Sequence, residues 1–111
     1  VPLDISSLTA SLLISLAIAT FLEELLFRAL FQNRLSAFIS SAAVIGLVSL
    51  AFAIGHFSPG PALVVFVDLL SVFVDSLIFG IIYQRSRNVF VAWVPHFLAD
   101  VFAIILLLAI R

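Results

Sequence analysis

The chain has 111 residues, 65% hydrophobic and only 10% charged, with a mean hydropathy of +1.39. A soluble domain carries about 25% charged residues, and a disordered chain needs few apolar ones, so the composition excludes both. Five basic against six acidic residues leave a net charge of −1 and no basic patch for nucleic acid, and the absence of cysteine removes disulfides, thiolate metal sites and a cysteine nucleophile.

What remains is an all-α, polytopic membrane protein with room for one domain. A span needs about 20 mostly apolar residues, and four candidates follow in order. The first runs from about Ile5 to Leu35 and is uncharged as far as Leu22. The second covers about Ala42 to Phe57, the third about Ala62 to Tyr83, and the fourth about Val89 to Ile110. Ser36 to Ser41, then Ser58-Pro59-Gly60-Pro61, then Gln84 to Asn88 separate them with turn-forming residues. Backbone groups in lipid must be satisfied internally, so the spans are expected to be helices. No ten-residue alternation repeats, which argues against a β-barrel. The first and third turns share one side and hold Arg34, Arg85 and Arg87, against Arg111 on the other, so the positive-inside rule places those turns in the cytoplasm. Residues 1–111, opening on Val-Pro-Leu-Asp, are expected to be a single membrane-embedded core taken from a longer chain.

The informative residues are polar ones inside spans, since each costs about 2.5–3.5 kcal/mol to insert. They are Glu23, Glu24 and Arg28 in the first span, His56 in the second, Asp68 and Asp75 in the third, and His96 and Asp100 in the fourth. Five carboxylates against one arginine sum to −4 when both histidines are neutral. A low-dielectric interior does not hold that charge, so a wet polar cavity, protons or a bound cation must relieve it. Glu24 and Arg28 stand four apart with the acid N-terminal, the favoured ion-pair order on a helix. Glu23 points about 100° away and stays free. His96 and Asp100 are also four apart, which lets a carboxylate orient the imidazole. Asp68, Ser71 and Asp75 form a polar stripe. From the helical rise, Glu23 and His56 lie at one depth, roughly 20 Å from the first turn, while His56 looks one to two turns deeper than His96.

Three short patterns carry a resemblance. Glu23-Glu24-Leu25-Leu26-Phe27-Arg28 fits E-E-x-x-x-R, Phe52-Ala53-Ile54-Gly55-His56 fits F-x-x-x-H, and His96-Phe97-Leu98-Ala99-Asp100 fits H-x-x-x-[N/D]. In this order, each within an apolar helix, they resemble the CAAX protease and bacteriocin-processing family of intramembrane endopeptidases, which includes the Rce1-type prenyl protease. The run from Phe27 to Gln32, and Gly80 with Tyr83, fit the same habit. The resemblance implies that Glu23 acts as general base on a water, that His56 positions that water, and that His96 and Asp100 stabilise the oxyanion. It implies that Glu24 and Arg28 hold the site together, with Phe52 in support. Asp100 stands where many members carry asparagine, and an ionised aspartate cannot donate to an oxyanion. Asp68 and Asp75 lie outside the family pattern.

On chemical grounds, a glutamate and two histidines can hydrolyse a peptide bond by activating water without a metal. The same Glu23, His56 and His96 could instead hold Zn²⁺ with an open position for water. A metal-free mechanism is favoured because adjacent glutamates are not a usual zinc-ligand spacing. The expected substrate is a peptide or protein segment at the bilayer, prenylated or not. Two rivals stay open. One is a non-catalytic immunity or scaffold protein that keeps the motifs for packing. The other is a proton or cation carrier using Asp68, Asp75 and Asp100.

Overall fold

The computed structural model describes residues 5–110, and every regular element among them is a helix. Arg111, the basic residue assigned to the opposite side, lies outside the described residues. The first span is one continuous rod in three parts: α1 (Ile5–Glu24), a π-helix π1 (Leu25–Gln32) and α2 (Asn33–Leu35). Right-handed helical dihedrals at Glu24, Gln32 and Asn33 carry the chain through both junctions without a break. The remaining elements are α3 (Ser41–Gly55), α4 (Ala62–Ser86) and α5 (Val89–Ala109).

The turns behave as their residues dictate. The Ser40 hydroxyl caps α3 by accepting from the Ala43 amide, and Asn88 caps α5 by accepting from the Phe90 amide. Pro61 sits immediately before α4, where its missing N–H costs nothing. The third turn is tighter than the polar run suggests. The helix continues through Gln84 and Arg85, and Arg87 alone takes the left-handed conformation (φ 54°) that ends it.

Three segments, Thr9–Leu35, Ala62–Ser86 and Val89–Ala109, are long and apolar enough to cross a membrane. They leave large side chains such as Ile14, Leu22, Phe66 and Phe102 exposed, as helices facing lipid do. α3 is the short member, about 22 Å long against a hydrocarbon core of about 30 Å. It is also the most enclosed: Val44, Ile45, Val48, Ser49, Phe52 and Ala53 are all buried, a stripe at helical spacing. That stripe meets the C-terminal half of α4, where Ser76, Phe79, Gly80 and Tyr83 are buried. The N-terminal half of α4, from Ala62 to Asp75, has no buried residue. The bundle is therefore closed at one end and splayed at the other.

The closed end holds both turns of the predicted basic side. Gln84 donates to the Ser41 hydroxyl at 3.0 Å, Asn33 donates to the Tyr83 hydroxyl at 2.6 Å, and Arg87 donates to the Asn33 side-chain oxygen Oδ1 at 3.0 Å. Arg34 and Arg85 are exposed at the same end.

Candidate active site

The rod carries a column of buried polar side chains at intervals of four: Thr20, Glu24, Arg28 and Gln32. In an α-helix each such step drifts about 40°, so four residues would spread over roughly 120°. A π-helix, bonded i→i+5 with roughly 4.4 residues per turn, drifts the other way and narrows the spread to about 65°. The π geometry is what keeps all four facing the bundle. Each then finds partners on α4 or α5. The Trp93 indole donates to the Ala17 carbonyl and the Thr20 hydroxyl, both at 3.0 Å. Arg28 donates to the Ser76 carbonyl at 2.7 Å and its hydroxyl at 2.8 Å. Gln32 donates to the Gly80 carbonyl at 3.0 Å. That last approach needs a glycine, because a Cβ on residue 80 would lie 3.1 Å from Ile45 Cγ2 and 3.3 Å from Gln32 Oε1.

Glu24 and Arg28 form the expected pair, Oε1 to Nε at 3.4 Å, with both side chains fully buried. The guanidinium also lies over the rings of Phe52 and Phe79, 5.2 and 5.9 Å from their centroids, where a desolvated cation is favoured. The other Glu24 oxygen faces His96 Nδ1 at 2.8 Å. Glu24 is thus a shared partner for a cation and an imidazole, more than the ion pair its spacing indicates.

Glu23 reaches both histidines. Its Oε2 lies 3.1 Å from His56 Nε2 and its Oε1 lies 3.6 Å from His96 Nε2. Asp100 Oδ2 is 3.7 Å from that same His96 nitrogen. The depth mismatch read from helical rise does not keep the two rings from one carboxylate. The His56 ring folds back onto Phe52, stacked at 4.4 Å, and its Nδ1 donates to the Phe52 carbonyl at 2.7 Å. Phe52 also meets His96 edge-on at 5.6 Å, and Phe79 stacks on His96 at 4.8 Å. Both imidazoles therefore have Nδ1 tied to an oxygen acceptor and Nε2 turned toward Glu23.

A cavity of about 60 Å³ adjoins these groups, lined by Phe52, His56, Val72, Asp75, Phe79, His96 and Asp100. It has room for one or two waters and offers them polar partners. Among the described residues, one ligand atom each from Glu23, His96 and Asp100 lies within 4.8 Å of the others, a spacing that can take a metal ion. His56 meets Glu23 from the other carboxylate oxygen. Asp68 lines a separate, open groove with Leu63, Val64, Val67, Ser71, Leu106 and Leu107.

Several contributors escaped the reading of motifs. Ser76, the buried partner of Arg28, sits among apolar residues beside the conspicuous Asp75. Phe79 is one of twelve phenylalanines in the chain. Trp93, taken as a lipid-facing or packing group, is half-buried and hydrogen-bonded to α1. The fourfold spacing of Thr20, Glu24, Arg28 and Gln32 was the available signal for Thr20 and Gln32.

Residues 5–102 match the model of the Rce1-like family, described as type II CAAX prenyl endopeptidase Rce1-like. Comparison with curated proteins and with solved structures returns no match. The match spans most of the chain and contains all three motifs, and the chain belongs to that family.

Proposed function

We propose that this family member is an intramembrane endopeptidase that hydrolyses a peptide bond in a membrane-associated or prenylated protein, using water activated by Glu23. The observation that carries the reading is the position of the Glu23 carboxylate between the two Nε2 atoms, at 3.1 and 3.6 Å. A water held there by Glu23 and His56 loses a proton to Glu23 as its oxygen attacks the peptide carbonyl carbon. The carbonyl oxygen becomes the oxyanion. His96, with its second proton on Nε2 and Nδ1–H held by Glu24, donates to it, and Asp100 does so in its protonated form. Glu23 then passes its proton to the amide nitrogen as the carbon–nitrogen bond breaks. Arg28 balances Glu24, and Phe52 and Phe79 fix the ring planes. The basic closed end faces the cytoplasm in this reading.

A second reading has its own observation. Imidazoles whose Nδ1–H is held by a carboxylate or a carbonyl, with Nε2 free, have the orientation of metal-bound histidines. Glu23, His96 and Asp100 would hold such an ion, with His56 beside it, and a zinc ion there would polarise the carbonyl and acidify the water.

The test is cleavage of a membrane-peptide library by reconstituted wild type and a Glu23→Gln variant, read by mass spectrometry. Products are expected from wild type alone. Equal product from a folded Glu23→Gln variant would overturn proteolysis by Glu23 and favour a scaffold role. Ion uptake lost on Asp75→Asn but kept on Glu23→Gln would favour a carrier.

A further inference from the structure

Among the described residues, four buried side-chain atoms have no hydrogen-bond partner: Glu24 Oε1, Arg28 Nε, Arg28 Nη1 and Gln32 Oε1. All four belong to the polar column of the rod. Glu24 Oε1 and Arg28 Nε face each other as an ion pair at 3.4 Å, which accounts for two of them. The other two are a donor and an acceptor on successive turns of the rod, in side chains 0% and 1% exposed. Folded proteins pair nearly all such groups, through protein atoms or through an ordered water.

Neither atom is free to turn toward a protein partner. Arg28 is fixed by Nη2, which donates to the Ser76 carbonyl and hydroxyl, and by the rings of Phe52 and Phe79. Gln32 is fixed by Nε2, which donates to the Gly80 carbonyl at 3.0 Å and lies 3.4 Å from Gln84 Oε1. Turning the amide over would set its oxygen against those two oxygens. Oε1 is therefore held beside Gly80 and Ile45, both of which adjoin it where a Cβ on residue 80 would stand.

The anchors Ser76 and Gly80 are four apart on α4, so their carbonyls are about 6 Å apart along its axis. A single water bridging a donor and an acceptor spans a similar length, about 5.6 Å for two hydrogen bonds of about 2.8 Å. The third wall is α3. Its Ile45 stands at the level of Gln32 and its Phe52 at the level of Arg28. Ser49 lies between them on the same buried stripe, is 1% exposed, and has no hydrogen-bond partner among the described residues. A ligand at this junction must accept from Arg28 and donate to Gln32. A simple anion cannot donate and a metal cation is repelled by the guanidinium, whereas water does both.

We propose that the junction of the rod, α3 and α4 binds one internal water, which accepts from Arg28 Nη1 and donates to Gln32 Oε1 and Ser49 Oγ. Gln32 and Ser49 are then positioning residues. Through the water they fix the plane of the guanidinium, which sets Nε toward Glu24, and Glu24 in turn holds His96 Nδ1. The site does not depend on which reaction the cavity performs.

The test is a crystal structure of the full chain grown in a lipid mesophase, at a resolution that shows ordered waters, together with ¹⁵N chemical shifts of His96 in nanodiscs. Wild type is expected to show one water within about 3.2 Å of Arg28 Nη1, Gln32 Oε1 and Ser49 Oγ. Ser49→Ala removes one hydroxyl and should lower the occupancy of that water and move the His96 ¹⁵N resonances. Gln32→Met keeps the side-chain length without the acceptor and should abolish the water. If Gln32→Met does not fold, the wild-type map and Ser49→Ala still decide. A wild-type map without that water, or with Arg28 Nη1 bonded directly to a protein oxygen, overturns the proposal. His96 resonances that stay in place when the water is weakened by Ser49→Ala overturn the positioning role.

Discussion

Replacing Glu24 by glutamine tests the part of the site that is fully buried. The carboxylate lies 3.4 Å from Arg28 Nε and 2.8 Å from His96 Nδ1, and it is fully shielded from solvent. At an effective dielectric constant near 20, a charge pair at 3.4 Å is attracted by about 5 kcal/mol. Removing one partner also ends the desolvation cost of that partner, and measured losses for breaking buried pairs run about 3–5 kcal/mol. Arg28 keeps its two bonds to Ser76 and its place over Phe52 and Phe79, so the loss in Glu24→Gln should lie near 3 kcal/mol. Catalysis should suffer separately. Without the carboxylate at Nδ1 the ring loses its shortest polar contact, with Glu23 and Asp100 left at 3.6 and 3.7 Å from Nε2, so the Nε2–H donor is no longer held in line with the oxyanion. Losing one oxyanion donor lowers kcat by about 10²–10³. The assays are denaturant unfolding in micelles, peptide turnover in nanodiscs and ¹⁵N chemical shifts of His96, with Glu24→Asp as the charge-preserving control. Wild-type unfolding and wild-type turnover in Glu24→Gln would refute the claim that this carboxylate holds both Arg28 and His96.

Three further expectations can be checked with simple variants or reagents. Gly80→Ala should destabilise the protein by about 1–3 kcal/mol, the usual cost of an overpacked contact, because the new Cβ meets Ile45 at 3.1 Å; an unchanged unfolding midpoint would contradict the tight α3–α4 seam. Phe52→Ala should cost about 3–5 kcal/mol as a core truncation, while Phe52→Leu, which keeps the bulk but not the ring, should unfold nearly normally yet turn over peptide more slowly, because Phe52 stacks on His56; equal turnover would show that the stack is mere packing. Elemental analysis and chelator treatment separate the two hydrolytic readings: the metal-free mechanism expects full activity after chelation, and stoichiometric zinc whose removal stops cleavage would establish the metal.

The polar residues of the site were legible because each is costly in a span, so Glu23, His56, His96 and Asp100 stand out without a structure. Their convergence was only partly legible. Helical rise set His56 deeper than His96, because rise locates Cα atoms and not the ring nitrogens that meet Glu23. Glu24 reads as one half of an ion pair from its spacing to Arg28. Its second role, at His96, depends on how α5 packs against the rod, and no local spacing contains that. The splayed half of α4 was invisible for a related reason: lipid-facing and groove-facing positions are equally apolar, so the span looks uniform until its partners are placed.

The π-helix yields a prediction that separates geometry from composition. A π turn holds one residue more than an α turn over the same arc, so removing one residue from Leu25–Gln32 should let the rod relax to α-helix while its two ends keep their facing. Leu26 is exposed, and its deletion would leave Glu24, Arg28 and Gln32 at relative positions i, i+3 and i+7, one face of an ordinary α-helix. Deleting Ile78 is the control. It is equally exposed, but α4 is α-helical there, and the loss rotates Gly80 and Tyr83 by about 100° relative to Ser76. Arg28 could then keep Ser76 only if Gln32 lost Gly80 and Asn33 lost Tyr83. The Leu26 deletion should therefore fold, with a modest loss of stability, and the Ile78 deletion should not accumulate as folded protein. Circular dichroism and size-exclusion profiles in the same detergent decide it. Collapse of both deletions would mean that the π stretch is required for itself, and that the column from Thr20 to Gln32 owes its alignment to something other than the extra residue.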